Sequence, residues 1–482
     1  FFNSISLDLS DVNRKSQIEP SLDSHWKRDR FFASLFKGSF HPYLRFQKEK
    51  RTYDMKFDEK GAGIQLENKR INGKLGIINR NDYSGNLEFN NWRNEGESWL
   101  GEIDILARPI KSLTTKLILK QRLKSFKDDR EDLNYRLARG SIRYTPKRGN
   151  TKASFDFKLE RSLYEEKIVV YDSISYGPGQ FRYDNETGLY IEDPAGHYIS
   201  FHIPSGNRLP STRFVSGLRL TRHLRNFSNS FLKDVTFRLI GSTDFNGENP
   251  TYNSIFSPSI NQTGLNRSQF NSQVEVRYAP GKKLRRIILK GLTNREVVSQ
   301  SIQELRDRIR KLISIKWEEP LNEHYRLVFD LSKSGFNHIS SIKLRERRTN
   351  GMYSETGLKW RKNQSLQLGG NVIIGKDIGN SFLGIYNVDI KGTEFDALIF
   401  PGLFGRINTT LTIVKVKQNN TNIKVLPPEA AKGMQTGINI KGSINALINL
   451  TESLVLNLNT IYQHDSIHSN FLIFNGELRA SF

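Results

Sequence analysis

The chain has no cysteine, so it can build neither a disulfide nor a thiolate metal site. It also has no run of about 18 apolar residues, which excludes a transmembrane helix. Hydrophobic residues make up only 37 % of it, and the mean hydropathy is −0.54. Such values look too polar for a membrane protein, yet a β-barrel escapes that exclusion because only every second residue of a strand meets lipid. The G-x-S-x-G, Walker A, H-E-x-x-H and dinucleotide glycine fingerprints are missing too. Carboxylates are plentiful but scattered. The chain therefore reads as a protein that is not an enzyme and takes no cofactor. It opens on Phe1-Phe2-Asn3 with neither Met nor a signal peptide, the mark of a processed or partial chain.

Its 482 residues are enough for two or three ordinary domains or one large barrel. There are 73 Lys+Arg against 50 Asp+Glu, a net charge of +23. Nucleic acid, anionic headgroups and acidic polymers are the partners such a charge admits. The basic residues are spread over many segments, as in Lys282-Lys283-Leu284-Arg285-Arg286 and Arg345-Glu346-Arg347-Arg348. Nucleic-acid binders concentrate them on one face with aromatic platforms, so nucleic acid is not expected. Basic outer loops suit lipopolysaccharide phosphates, and inward arginines suit an anionic plug or solute. Plain solvation of a wet face is the alternative.

The dominant pattern has period two. Between Thr151 and Arg161, Ala153, Phe155, Phe157 and Leu159 alternate with Lys152, Ser154, Asp156, Lys158 and Glu160. Val274, Val276 and Tyr278 alternate likewise with Gln273, Glu275 and Arg277, and Leu454, Leu456, Leu458 and Tyr462 share one face. Such strands have one apolar and one wet face. The links between them fall into two kinds. Short ones are placed at Ala107–Pro109, Arg143–Lys147, Asn226–Ser230, Arg277–Gly281, Trp317–Pro320, Lys362–Gln364, Pro401–Phe404 and Thr451–Ser453. Proline fits a turn because its missing N–H is not needed there. Long polar links cover Lys127–Asn134, Asp172–Pro210, Asn246–Arg267 and Gln418–Lys432, and each falls between two short ones. If the short links share one edge of a sheet, the long ones share the other. Outer-membrane barrels have this asymmetry of short periplasmic turns and long extracellular loops.

The fold expected is therefore all-β, a transmembrane antiparallel barrel of about 22 strands, within a range of about 18–24, sited in the bacterial outer membrane. Residues 36–482 would form the barrel, with 172–210 as its long extracellular loop. Residues 1–35 would be a first strand or partner-contacting arm followed by loop. One segment is ambiguous. Ser301-Ile302-Gln303-Glu304 has the form of a capping box, and Ile302, Leu305, Ile309 and Leu312 follow helical spacing. A strand using Ile313, Ile315 and Trp317 is the preferred reading, since it must reach the turn at Pro320.

The last segment ends in Leu472, Phe474, Gly476, Leu478, Ala480 and Phe482 on one face. A terminal amphipathic strand with a final Phe resembles the assembly signal of outer-membrane barrels, carried here by Phe474, Leu478 and Phe482. A second resemblance is local. Tyr171-Asp172-Ser173-Ile174 leads into Gly177-Pro178-Gly179, then Tyr183-Asp184-Asn185-Glu186-Thr187-Gly188-Leu189-Tyr190 and Asp193-Pro194-Ala195-Gly196-His197-Tyr198. With Leu426-Pro427-Pro428-Glu429-Ala430-Ala431-Lys432-Gly433, it resembles the C-terminal barrel of large surface proteins of the Bacteroidota and related phyla. The similarity runs from about His41 to Phe482. It implies a fold and a location but no mechanism.

Candidate sites are few. Asp184, Asn185, Glu186 and Asp193 offer oxygen ligands of the kind calcium takes. The competing reading is that Asp, Asn and Gly build tight turns, with Gly177, Gly179, Tyr183, Gly188, Tyr190, Gly196 and Tyr198 shaping the loop and its tyrosines packing it onto the sheet. His464 and His468 have a zinc-like spacing but lie in a hairpin loop, where they need not converge. Three functions remain: a scaffold or conduit in an envelope complex, the barrel of a gated transporter or export machine with a separate plug, and a soluble binder of acidic polymers. The first two imply outer-membrane lipid, lipopolysaccharide and envelope proteins as partners. A TonB-dependent transporter resembles the chain in strand number but carries a plug before its barrel, and residues 11–35 are too few for one.

Overall fold

The computed structural model describes residues 2–480 apart from 15–23, 37, 52–54, 87–90, 131, 148–149, 175–178, 194–195, 226–230, 281–284, 300–304, 364, 401, 403–404, 420–422, 424, 452 and 467–469. Among the described residues 24 strands belong to one sheet. Two of these, Phe181–Asp184 and Leu189–Glu192, are a hairpin of four-residue strands, which leaves 22 long strands. Successive long strands pair antiparallel, as where Arg306–Pro320 pairs with Arg286–Val298 and with Tyr325–Ser340. The protein is all-β; its one α-helix among the described residues is the single turn Tyr252–Phe256.

The links segregate as their composition requires. The two-sided alternation holds each strand until a polar or proline-bearing stretch ends it. Strands join through Lys111–Ser112, Leu321–His324 and the link after Arg361 at one edge. The links between Phe126 and Leu133, Ser173 and Tyr198, Gly247 and Leu265, and Gln418 and Gly437 stand at the other. Several placements are corrected. The link expected at Ala107–Pro109 lies after Ile110, and Trp317–Pro320 belongs to its strand, because an edge position or strand end tolerates a proline. The stretch 172–210 is not all loop. One strand runs to Ser173 and the next, Tyr198–His223, takes up its second half. Residues 24–35, expected as loop, form a strand paired with Phe2–Arg14 and with Phe40–Arg51. The possible capping box at 301–304 lies outside the described residues, but Ile309 and Leu312 are in strand.

By contact density the chain divides into two units. The first comprises residues 1–164, 208–220 and 242–250. Its strands carry polar groups on the covered side. In Phe40–Arg51 the covered side chains include His41, Tyr43, Gln47 and Glu49, while Phe40, Leu44 and Phe46 are exposed. Asp82 meets Arg80 (2.6 Å), Lys124 (2.8 Å) and Arg122 (3.4 Å), and Glu102 meets Lys74 at 2.5 Å. The second comprises residues 165–207, 221–241 and 251–482. Among its described residues a core cluster is formed by Tyr353, Ile373, Tyr386, Val388, Ile390, Val414 and Val416 with Ile423, Leu426, Ala430, Ala431 and Met434. The first seven are on strands; the last five belong to the link after Gln418, which folds back over the covered face. The exposed face of the same strands carries Leu368, Val372, Ile374, Ile378, Phe395, Leu411 and Ile413, all open to solvent, together with Lys376, Lys391, Lys415 and Lys417.

Candidate functional site on the covered face

In the second unit, two long links meet over the covered face. The first holds the small hairpin. Tyr190 stacks on Tyr171 with ring centroids 4.0 Å apart and meets Tyr198 edge-on at 5.0 Å. Tyr183 tilts against Tyr190 at 5.0 Å. Aromatic contacts of this kind add about 0.5–1.5 kcal/mol beyond burial. They fold the link on itself and deliver Glu192 to the strand ends. Arg345 fastens the hairpin from the neighbouring link, donating to the Tyr190 carbonyl at 2.8 Å and to the Tyr171 hydroxyl at 3.0 Å.

The second link, after Gln418, is pinned to a strand at Asp377 and braced within itself. Asp377, fully buried, accepts from the Tyr353 hydroxyl and from the Ala431 amide, both at 2.6 Å. Gln435 bridges to Leu426 in both directions, at 2.9 and 3.2 Å. The wall makes room for this. A Cβ on Gly375 would stand 2.5 Å from the Tyr353 ring, and one on Gly379 would stand 2.3 Å from the Tyr386 hydroxyl. Only glycine lets these rings lie flat on the sheet.

Arg347 joins the two links. Its guanidinium, buried to 7 % exposure, donates to both oxygens of Glu429, at 2.8 and 3.0 Å, and also to Glu192. Glu192 is shared with Arg308 at 3.1 Å, and Arg308 reaches His338 at 3.4 Å. A planar fork satisfying two carboxylates is the geometry arginine suits. Burial alone would raise the Glu192 carboxyl, but Arg347 and Arg308 outweigh it and hold it below the usual carboxylate range. A carboxyl depressed in the docked state favours docking above its free pKa, roughly 4.3. That contribution is lost as pH falls through the docked value. Acidification is therefore expected to release the hairpin, read as a loss of hydrogen-exchange protection in residues 181–192 that Glu192→Gln makes independent of pH.

The residues singled out in the sequence fall as follows. Asp184 sits at the tip of the small hairpin, where its carboxylate accepts from the Thr187 hydroxyl (2.5 Å) and amide (3.3 Å). Asn185 and Glu186 are in the same turn, which Gly188 closes with φ of 67°. Asp193 follows the other end of the hairpin and pairs with Arg182 at 3.3 Å. The four proposed oxygen donors are thus not brought together. Gly179 and Gly196 lie where backbones touch, the Gly179 amide donating to the Gly196 carbonyl at 2.7 Å. Gly177, His468 and Phe482 are outside the described residues. Phe474 and Leu478 are exposed on the last strand. Arg347, Glu192 and Glu429 were not singled out as a site. Arg345–Arg348 stood out only as a basic run, and nothing in sequence spacing ties residue 347 to 192 or 429.

Fold and site together define an all-β sheet protein that covers a set of paired charges and exposes many large apolar side chains. No protein-family model matches the chain, and no curated protein does. Solved structures similar to it include a mutant of the ferric enterobactin receptor PfeA from Pseudomonas aeruginosa, at 8 % identity and a TM-score of 0.38, covering 99 % of this chain and 80 % of that one. The FrpB iron transporter from Neisseria meningitidis matches at 8 % identity and 0.34, covering 95 % and 79 %. The outer membrane transporter YddB from Escherichia coli matches at 7 % and 0.33, covering 99 % and 80 %.

Proposed function

We propose that this chain is a β-barrel of the bacterial outer membrane, a conduit or scaffold in an envelope complex whose mouth is closed by its own inward-folded links. The observation that carries the reading is the pairing of buried charges on one face of the sheet with many large apolar side chains exposed on the other. A soluble protein covers its apolar side chains and exposes its charges. Here Arg347, Asp377, Glu49, Asp82 and Glu318 are buried, while Trp99, Ile313, Trp317, Val372, Ile374 and Phe395 are exposed. Lipid is the solvent that such a surface suits, and backbone groups at membrane depth need the complete pairing that only a closed sheet gives. Among the described residues the number of long strands is even, so the first and last of them begin and end on the short-link side, the arrangement outer-membrane barrels have. The likeness of residues 171–198 and 426–433 to surface proteins of the Bacteroidota belongs to the same proposal.

The absence of cysteine makes the test clean. Single cysteines at Leu368, Ile374 and Leu411 should react with a lipid-soluble maleimide in proteoliposomes and resist a water-soluble one. Cysteines at Gln367 and Glu394, on the opposite face, should show the reverse. Reaction of the first set with the water-soluble reagent at the rate of a free thiol, together with extraction from cells without detergent, sinks the reading in favour of a soluble binder.

A gated transporter is the second reading, favoured by the two links clasped at Arg347. Planar-bilayer recordings separate the two. A steady open pore supports the conduit, and a tight barrier that opens only with a partner or substrate supports gating.

A further inference from the structure

On the exposed face of the second unit, Lys391 and Lys415 stand directly opposite one another in adjacent strands. Asp389, two residues along, lies between Lys376 on one side and Lys417 on the other. All four lysines are exposed. Among the described residues none of them is in an ion pair, and the Asp389 carboxylate accepts from the Asn419 side chain at 2.5 Å. Like charges directly opposed across a ladder destabilise it. Four ammonium groups against one carboxylate therefore form a patch that is complete only with an anion.

The surroundings say which anion. Along the strands the patch has Val372, Phe395, Leu411 and Ile413 on one side and Ile378 and Ile385 on the other, with Ile374 and Ile438 in the same row as the facing lysines, all of them exposed. A free phosphate has no use for these apolar neighbours. An amphiphile does: its acyl chains lie on the apolar residues while its phosphate meets the ammonium groups. The patch lies toward the long-link edge, between Gln418 and the middle of its strand.

We propose that Lys391 and Lys415, flanked by Lys376 and Lys417, form a binding site for the phosphate of an outer-leaflet lipid, a phosphorylated glycolipid of the lipid A type. The site rests on the membrane reading above. It commits to a lipid, and free phosphate is a competing outcome of its test.

The test uses the full chain in detergent, with diphosphorylated lipid A as the probe and its dephosphorylated form and inorganic phosphate as comparisons. Lipid bound per chain is read by native mass spectrometry. The diphosphorylated lipid should bind, and the dephosphorylated one should not. Lys391→Ala with Lys415→Ala should weaken binding by about thirtyfold. The double arginine variant should retain it, and Lys362→Ala, in a link at the opposite edge, should leave it unchanged. Unaltered melting of the double alanine variant shows that it folds. Equal binding by the alanine variant, or full competition by millimolar inorganic phosphate, overturns the lipid site while leaving the barrel intact. A chain that stays soluble and monomeric without detergent overturns the membrane reading and the site with it.

Discussion

Arg347→Ala should open the clasp between the two links. It removes the cation shared by Glu192 and Glu429 and leaves both carboxylates on the covered face, where Glu429 loses two charge-assisted hydrogen bonds. Removing one member of a buried ion pair costs about 3–5 kcal/mol. Here the cost falls on docking rather than on the strand ladder, so it appears as local release rather than global unfolding. In planar bilayers the variant should pass more current than the parent, with protection from exchange lost in residues 181–192 and 423–436. Arg347→Lys keeps the charge but cannot bind both carboxylates with a planar fork, and should fall between the two. Unchanged conductance with the links demonstrably released would mean that they do not close a pore.

The second large effect separates lipid from water as the solvent of the exposed face. Val372→Arg introduces a charge at the middle of the strand Leu366–Ser381, at a position already more than half exposed (52 %). In water such a change is close to neutral or aids solubility. Against lipid at mid-depth it costs about 2–4 kcal/mol, falling to about 0–1 near the interface. Val372→Arg should therefore weaken resistance to guanidinium strongly in vesicles, and Asn380→Arg, on the same face near the long-link edge, hardly at all. Equal effects at the two positions would remove the depth dependence that the membrane reading requires.

The strand pattern was legible because period-two alternation and link chemistry are local. Leu454, Leu456 and Leu458 announce their strand without help from any partner, and the prolines at 146 and 280 mark strand ends. The segregation of links followed from counting them. Where the boundaries slipped, a local signal was ambiguous. Polar residues from Tyr198 to Pro210 read as loop because polarity alone does not distinguish the polar first half of a strand from a coil. The site was harder. Arg347 is separated from Glu192 by 155 residues and from Glu429 by 82, and only folding brings such distant residues together. The tyrosines of the small hairpin were legible as a packing set, but not the carboxylate at its end.

Ala431 and Lys432 hold φ of 49° and 55°, a left-handed backbone that side-chain-bearing residues avoid. Such residues cost of order 1–3 kcal/mol each and persist only where the surroundings over-determine them. The Asp377 carboxylate and the apolar wall provide that determination. The docked link is therefore the wound state of a spring, and the free link is the relaxed one. A partner that displaced the Ala431 amide from Asp377 would recover that strain, which offsets part of what freeing the link from Arg347 and the apolar wall costs.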